Sequence, residues 1–205
     1  MRDLQAAGEP ALTDPDEGSA GTPDEFAPLH THRGSSRRRI ALLAGTALVA
    51  FAGDLATKTW IVHSYADGHV TTLISNVLEV EQTRNAGAAF GLAGGATIVF
   101  SVVAVAVIGL IVRSATRLRS VGWAVALGLL LGGAVGNLGD RLFRSPGVFR
   151  GHVVDWIYLH HWPVFNLADS AIVVGGVLAV ILASRGHRLD GSRETPASSG
   201  QTEDR

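Results

Sequence analysis

The sequence predicts an all-α membrane protein: four transmembrane helices with a small extracytoplasmic β-hairpin or cradle. Three observations carry that prediction. Four apolar runs, each about the 20 residues that a bilayer core requires, lie between residues 40 and 184. Charged residues make up 17% of the 205-residue chain and crowd into its tails, so the middle is far more apolar than a soluble domain. Between the first and second runs, one stretch changes its hydrophobic period from helical to alternating.

Composition closes off several functions. The net charge of -1 leaves no nucleic-acid footprint, so no nucleic-acid partner is expected. With no cysteine, disulfides, thiolate catalysis and cysteine-bound metal are excluded. His152, His160 and His161 invite a metal reading, but there is no His-Glu-x-x-His and two adjacent histidines cannot easily chelate one ion. They read as interfacial residues; no metal and no cofactor are expected.

Residues 1–36 are rich in Gly, Pro, Ser, Thr, Asp and Glu, and residues 186–205 are similarly polar. Neither tail has enough apolar surface to offset the entropy of ordering, so both are expected to be disordered cytoplasmic tails around a membrane domain at 37–185. Arg37, Arg38 and Arg39 precede the first run, about 40–62. Ala50-Phe51-Ala52 resembles a signal-peptide cleavage site, but the long polar leader and the apolar continuation past Lys58 favour a retained helix. The alternating stretch, with Leu78, Val80 and Gln82 against Glu79, Glu81 and Thr83 and a turn at Ser75-Asn76, predicts a hairpin within a cradle at about 69–92. The remaining helices are expected at about 93–112, 121–141 and 164–184.

Arginines set the expected orientation. Arg37–Arg39, then Arg113, Arg117 and Arg119, then Arg185 and Arg188 all fall on one side of a four-pass chain, which puts both termini in the cytoplasm. Counting up each helix from those arginines places Asp54 about 22 Å, Asn137 about 27 Å and Asp169 about 24 Å into a core about 30 Å thick. Three polar residues from three helices thus share one layer near the outer face, and the connection carrying Asp155 can dip to meet them. A carboxylate inside a membrane span is costly and marks a candidate site, here with Asp155 as the partner of Asp169. Two acids sharing a site do not both ionise easily, so one keeps a proton and an acid/base pair results.

Lys58 is the sole lysine of the chain and lies four residues after Asp54, on the same helix face. It either snorkels to the headgroups or pairs with Asp54 to brace the site. Asp140-Arg141 reads first as an ion pair that ends the third helix, with Asp140 as the partner of Asp169 in a rival dyad. Gly132, Gly133, Gly136 and Gly139 have the spacing of a helix face that packs closely on its neighbours, and Gly87 to Gly91 suits a backbone turn. No nucleophile motif is present, and no serine is placed to pair with Lys58. An aspartate pair remains, one member activating water and the other supplying a proton.

Five motifs carry a resemblance: Asp54-Leu-Ala-Thr-Lys58, Thr83-Arg-Asn85-Ala-Gly87-Ala-Ala-Phe90-Gly91, Gly132-Gly-Ala-Val-Gly-Asn137-Leu-Gly-Asp140-Arg141, Val153-Val-Asp155, and Phe165-Asn166-Leu-Ala-Asp169-Ser170. In this order, over about residues 40–183, the chain resembles the bacterial lipoprotein signal peptidase, or type II signal peptidase, family. The resemblance implies an intramembrane aspartyl endopeptidase of the bacterial cytoplasmic membrane with its site near the extracytoplasmic face. Its substrates would be diacylglyceryl-modified prolipoproteins, cut just before the lipid-modified cysteine. It further implies a catalytic dyad of Asp155 and Asp169. Asn85, Asn137, Asp140, Arg141 and Asn166 would shape the site and hold the substrate backbone, with Asp54 and Lys58 as structural residues near it. Membrane lipid and globomycin-type inhibitors are the other partners implied, and a monomer is expected. The connection between the two aspartates is short, which bears on the outer loop rather than on the dyad. The alternative is a proton- or ion-coupled membrane carrier, since buried acids in spanning helices are its usual sign.

Overall fold

The computed structural model describes residues 32–87 and 95–193. The expectations for residues 1–31, for the segment containing Phe90 and Gly91, and for residues 194–205 lie outside the described residues. The elements run α1 (His32–Ser64), β1 (Thr71–Ile74), β2 (Leu78–Asn85), α2 (Gly95–Ala115), α3 (Val121–Phe143), β3 (Val153–Leu159) and α4 (Leu167–Ser184). Four helical stretches, Ser36–Ser64, Thr97–Ala115, Val121–Phe143 and Leu167–Ser184, are long and apolar enough to cross a membrane.

The helix α3 is the hub. Half of its apolar window is buried, against 11% in each of the other three, so those helices present most of their surface outward. Its glycines explain how it packs so closely. A Cβ on Gly132 would stand 2.5 Å from the Ala47 carbonyl oxygen of α1, and one on Gly136 would stand 2.5 Å from Asp54 Oδ2. Gly133 likewise lies against the Ala168 backbone of α4. Backbones this close leave no room for a larger side chain. Gly139 departs from the expected packing role, since it faces open space.

The helix ends differ from expectation in instructive ways. The fourth helix begins at Leu167 rather than 164, because Asn166 takes an extended conformation and caps it. Just before it, Phe165 bridges to Ile157, exchanging hydrogen bonds of 2.8 and 3.0 Å. The cradle is larger than a hairpin. The turn expected at Ser75-Asn76 is present, with Asn76 at φ 59°, and β3 adds a third antiparallel strand on β2. Asp155 therefore sits on a strand, not on a free connection. Between Val80↔Ile157 and Thr83↔Asp155, β2 carries one residue more than β3, a bulge next to the candidate site.

Two apolar clusters fasten the bundle. At one end Ile61, Tyr65, Val80 and Val154 fix the sheet to the end of α1. At the other, Leu43, Ile111, Leu118, Ala124 and Leu127 join α1, α2 and α3, with Leu189 packed against them. Leu189 corrects the expectation of disorder from residue 186 onward. Residues 186–193 form a turn closed by a His187–Arg193 bridge, and the Leu189 carbonyl accepts from Arg119 N–H at 2.8 Å while Trp123 Nε1 donates to the His187 carbonyl at 2.9 Å. Leu189, placed beside an apolar cluster, docks the turn together with these hydrogen bonds.

Candidate active site

Each expected site residue stands where a particular element puts it. Asp54 and Lys58 lie on one face of α1, and both are 1% exposed. Asn137, Asp140 and Arg141 come from the last turns of α3, Asn85 ends β2, Asp155 is on β3, and Asn166 and Asp169 open α4. The α4 terminus is a reciprocal capping box: Asn166 Oδ1 accepts from Asp169 N–H at 2.9 Å, and Asp169 Oδ2 accepts from Asn166 N–H at 3.2 Å. The cap thus fixes one aspartate rigidly at the start of a helix, where the backbone dipole favours a negative group.

Two asparagines, Asn137 and Asn166, link the two aspartates, and a third, Asn85, holds Asp155 from its other side. Asn85 Nδ2 donates to Asp155 Oδ2 at 3.0 Å, and Asn166 Nδ2 donates to Asp155 Oδ1 at 2.6 Å. Asn137 Nδ2 donates to Asp169 Oδ1 at 2.7 Å, while its Oδ1 accepts from Asn166 Nδ2 at 3.2 Å. Asp155 is 2% exposed. Burial chiefly pushes its carboxyl up to about 6; the Asn85 hydrogen bond opposes that rise and the charge of Asp169 adds to it.

A second cluster lies behind the first. Lys58 Nζ meets Asp54 Oδ2 at 2.7 Å, Asp140 Oδ2 at 2.9 Å and Asn137 Oδ1 at 3.0 Å. The pairing of Lys58 with Asp54 decides between bracing and snorkelling: a lysine that is 1% exposed does not reach headgroups. The adjacent pair Asp140-Arg141 is corrected. Asp140 instead bonds Lys58, Arg144 and the Val154 backbone N–H, because successive residues on a helix point apart and i, i+4 residues meet. That same i, i+4 spacing was the signal for Arg144, which the sequence reading missed. Asp54 Oδ1 also accepts from Ala168 N–H at 2.9 Å, which ties α1 to the first turn of α4.

Cavities flank α3 on both sides. The front one, about 350 Å³, has Asn85, Asn137, Arg141 and Asp169 at its polar end. Phe100, Val103 and Val107 of α2, Leu130 of α3 and Ile172 of α4 form its apolar walls. Arg141 is held there by its Nη1 hydrogen bond to the Asn137 carbonyl at 3.2 Å and by the Phe100 ring, whose centroid is 5.6 Å from the guanidinium. The back one, about 490 Å³, is lined by Asp54, Lys58, Asp140 and Arg144 together with Gly139. The front cavity offers an apolar trough ending on a carboxylate, with donors for peptide carbonyls beside it.

Comparison with known proteins gives the family of the chain. A sequence model of the family described as signal peptidase (SPase) II matches residues 46–185. A lipoprotein signal peptidase of Streptomyces coelicolor is 52% identical over 160 residues, 78% of each chain, and one of Rhodococcus jostii is 43% identical over 197 residues, 95% of this chain and 98% of the other. Among solved structures, a bacterial membrane enzyme determined in meso at 1.9 Å superposes with a TM-score of 0.59 at 27% identity, covering 72% of this chain and 92% of that one. A second bacterial membrane enzyme, determined in meso at 2.3 Å, gives 0.58 at 25% identity, covering 78% and 94%. The family match runs from within α1 to the end of α4 and includes the sheet and both linked aspartates, and the chain is a member of the signal peptidase II family.

Proposed function

We propose that Asp155 and Asp169 are the catalytic pair with which this membrane aspartic endopeptidase removes signal peptides from prolipoproteins. The observation that carries this assignment is the asparagine-linked pair itself: two carboxylates from different elements, one buried and biased toward its protonated form, the other beside the front cavity. In the reaction, the ionised carboxylate takes a proton from water as the water oxygen bonds to the scissile carbonyl carbon. The protonated carboxyl gives its proton to the carbonyl oxygen. The tetrahedral diol then collapses: as the C–N bond breaks, the carboxyl that took the water proton gives it to the amine nitrogen, and a diol hydroxyl gives its proton to the other carboxylate, so the pair is again singly protonated in its starting arrangement. Because the carboxyls titrate as a pair, the working form is the one that holds a single shared proton.

The trough and the cationic Arg141 suit a substrate whose apolar signal helix lies against α2 and α4 and whose cleavage site carries a diacylglyceryl group. The cut falls just before the lipid-modified cysteine. The same trough would take globomycin-type inhibitors and membrane lipid, and a single chain supplies every site residue, as a monomer requires. Both termini are assigned to the cytoplasm and the site to the extracytoplasmic face by the arginine pattern. The carrier reading lacks support. Among the described residues, the acids within the spans, Asp54, Asp140 and Asp169, all stand at one end, with no path of acids across the bundle.

The test is cleavage of a diacylglyceryl-modified prolipoprotein by purified protein, read as a gel shift. Asp155→Asn and Asp169→Asn each lose at least about 100-fold in rate, the scale of general acid-base catalysis, while remaining folded. Asp140→Asn in a folded protein retains turnover. Full activity in Asp155→Asn, or loss confined to Asp140→Asn, overturns the assignment.

A further inference from the structure

We infer that Lys58 is a positioning residue for the peptidase reaction: its buried ammonium fixes the orientation of the Asn137 amide and thereby aims an N–H at the Asp169 carboxylate. The inference rests on the Asp155/Asp169 reading and goes beyond bracing. An ammonium has three donors and no acceptor. Two of the three donors of Lys58 meet carboxylates, Asp54 Oδ2 at 2.7 Å and Asp140 Oδ2 at 2.9 Å. Arg144 provides the second positive charge for this group, so two cations balance two anions. The third donor goes to a neutral acceptor, Asn137 Oδ1, at 3.0 Å.

That contact decides an orientation that an amide does not choose by itself. Turned the other way, Asn137 would set its NH2 against an ammonium and its oxygen against the Asp169 carboxylate, two repulsive contacts in place of two attractive ones. The neighbouring amide is locked by the same logic. Asn166 Oδ1 accepts a backbone N–H, which can only donate, so Asn166 Nδ2 must face Asp155 and Asn137 Oδ1. A donor-only group stands behind each asparagine, and both amide NH2 groups point at the catalytic pair. Lys58 thus acts on the reaction through Asn137 without touching substrate.

The other charged groups around this line are Asp155 on β3 and Arg141 on α3 near Asp169, and Asp54, Asp140 and Arg144 around Lys58. Without the Lys58 contact the Asn137 amide loses its fixed direction, and the Asp169 carboxylate loses its 2.7 Å hydrogen bond from that amide. The acidic limb of the kcat/KM profile then moves to higher pH.

The variant that tests this is Lys58→Met/Asp54→Asn, which removes one charge of each sign and leaves the Asp140–Arg144 pair intact. Assayed on a diacylglyceryl-modified prolipoprotein, the folded double variant shows kcat down by about 100-fold, as on loss of one preorganised donor. KM stays within about threefold, and the acidic limb is displaced upward. Asn137→Asp is the second variant. It keeps an acceptor for Lys58, so the cluster stays anchored, yet offers Asp169 no N–H; the same loss is expected. Leu118→Ala, which loosens the opposite end of the bundle, is the control for general destabilisation and keeps its kcat and its limb. Wild-type kcat with an unmoved limb in the folded double variant, or in Asn137→Asp should the double variant not fold, overturns the inference. Asp155→Asn and Asp169→Asn in the same assay separate the two levels: activity in those variants would sink the dyad itself, not only the role of Lys58.

Discussion

At one end of the bundle, Leu43, Ile111, Leu118, Ala124 and Leu127 pack with Leu189 into a cluster without a charged member; at the other, Lys58, Asp54, Asp140, Asn137, Asn166 and Asp155 are buried together as polar groups. The first end relies on burial of apolar area, which is non-directional and tolerant of exchange. The second relies on a set of directed hydrogen bonds and ion pairs, where losing one partner strands the other. This protein concentrates its specificity at the polar end. The apolar end needs only volume. The polar end needs these residue types in these places, and it is the end that holds Asp155 and Asp169, the proposed catalytic pair.

The largest effect should come from breaking the polar end at its centre. Lys58→Met leaves two buried carboxylates with one remaining cation, and removal of one member of a buried ion pair costs about 3–5 kcal/mol. Adding Asp54→Asn to it should recover part of that loss, because the charges balance again. Thermal unfolding in detergent measures both. If Lys58→Met unfolds at the wild-type temperature, the polar end is not held by its ion pairs and the contrast between the ends fails.

The apolar end is sharpened by Leu118→Ala. Leu118 is fully buried in the cluster, so truncation should cost about 2–5 kcal/mol through lost transfer energy and a residual cavity. The expected result is a lower unfolding temperature with kcat unchanged below it. A fall in kcat at temperatures where the variant is fully folded would mean that the two ends are mechanically coupled.

These two ends were not equally legible in the sequence. The spans, the turn at Asn76 and the shared depth of Asp54, Asn137 and Asp169 follow from period, turn chemistry and a rise per residue. So does the Asp54/Lys58 pair, since i, i+4 spacing is local. What could not be read is whatever depends on the third dimension. Asp155 on a paired strand needs β2 as its neighbour, and the Asp140–Lys58 contact needs the approach of α1, whereas Asp140–Arg144 has the local i, i+4 spacing. Docking of residues 186–193 depends on an apolar cluster assembled from three helices. The reading of Gly139 as a packing glycine failed for the same reason: spacing shows which residues share a face, but not whether a partner covers it.

The smallest effect, and the one that tests the polar end without removing a donor of its network, comes from pH. Burial holds the Asp155 carboxyl at about 6 against an ordinary value of 3.8, so the folded protein binds a proton that the unfolded chain has released between those values. The folded state therefore loses stability as pH rises through that window and regains it on acidification, up to about 3 kcal/mol for a shift of this size. This is the reverse of a salt-bridged carboxylate, which is stabilising when ionised. The unfolding temperature of the wild type should thus fall between pH 4 and pH 6.5 and flatten above it. In Asp155→Asn that component of the slope should vanish, leaving only what the other carboxylates contribute. An identical slope in both proteins would show that burial does not hold a proton on Asp155, and the role of acid in the pair would pass to Asp169.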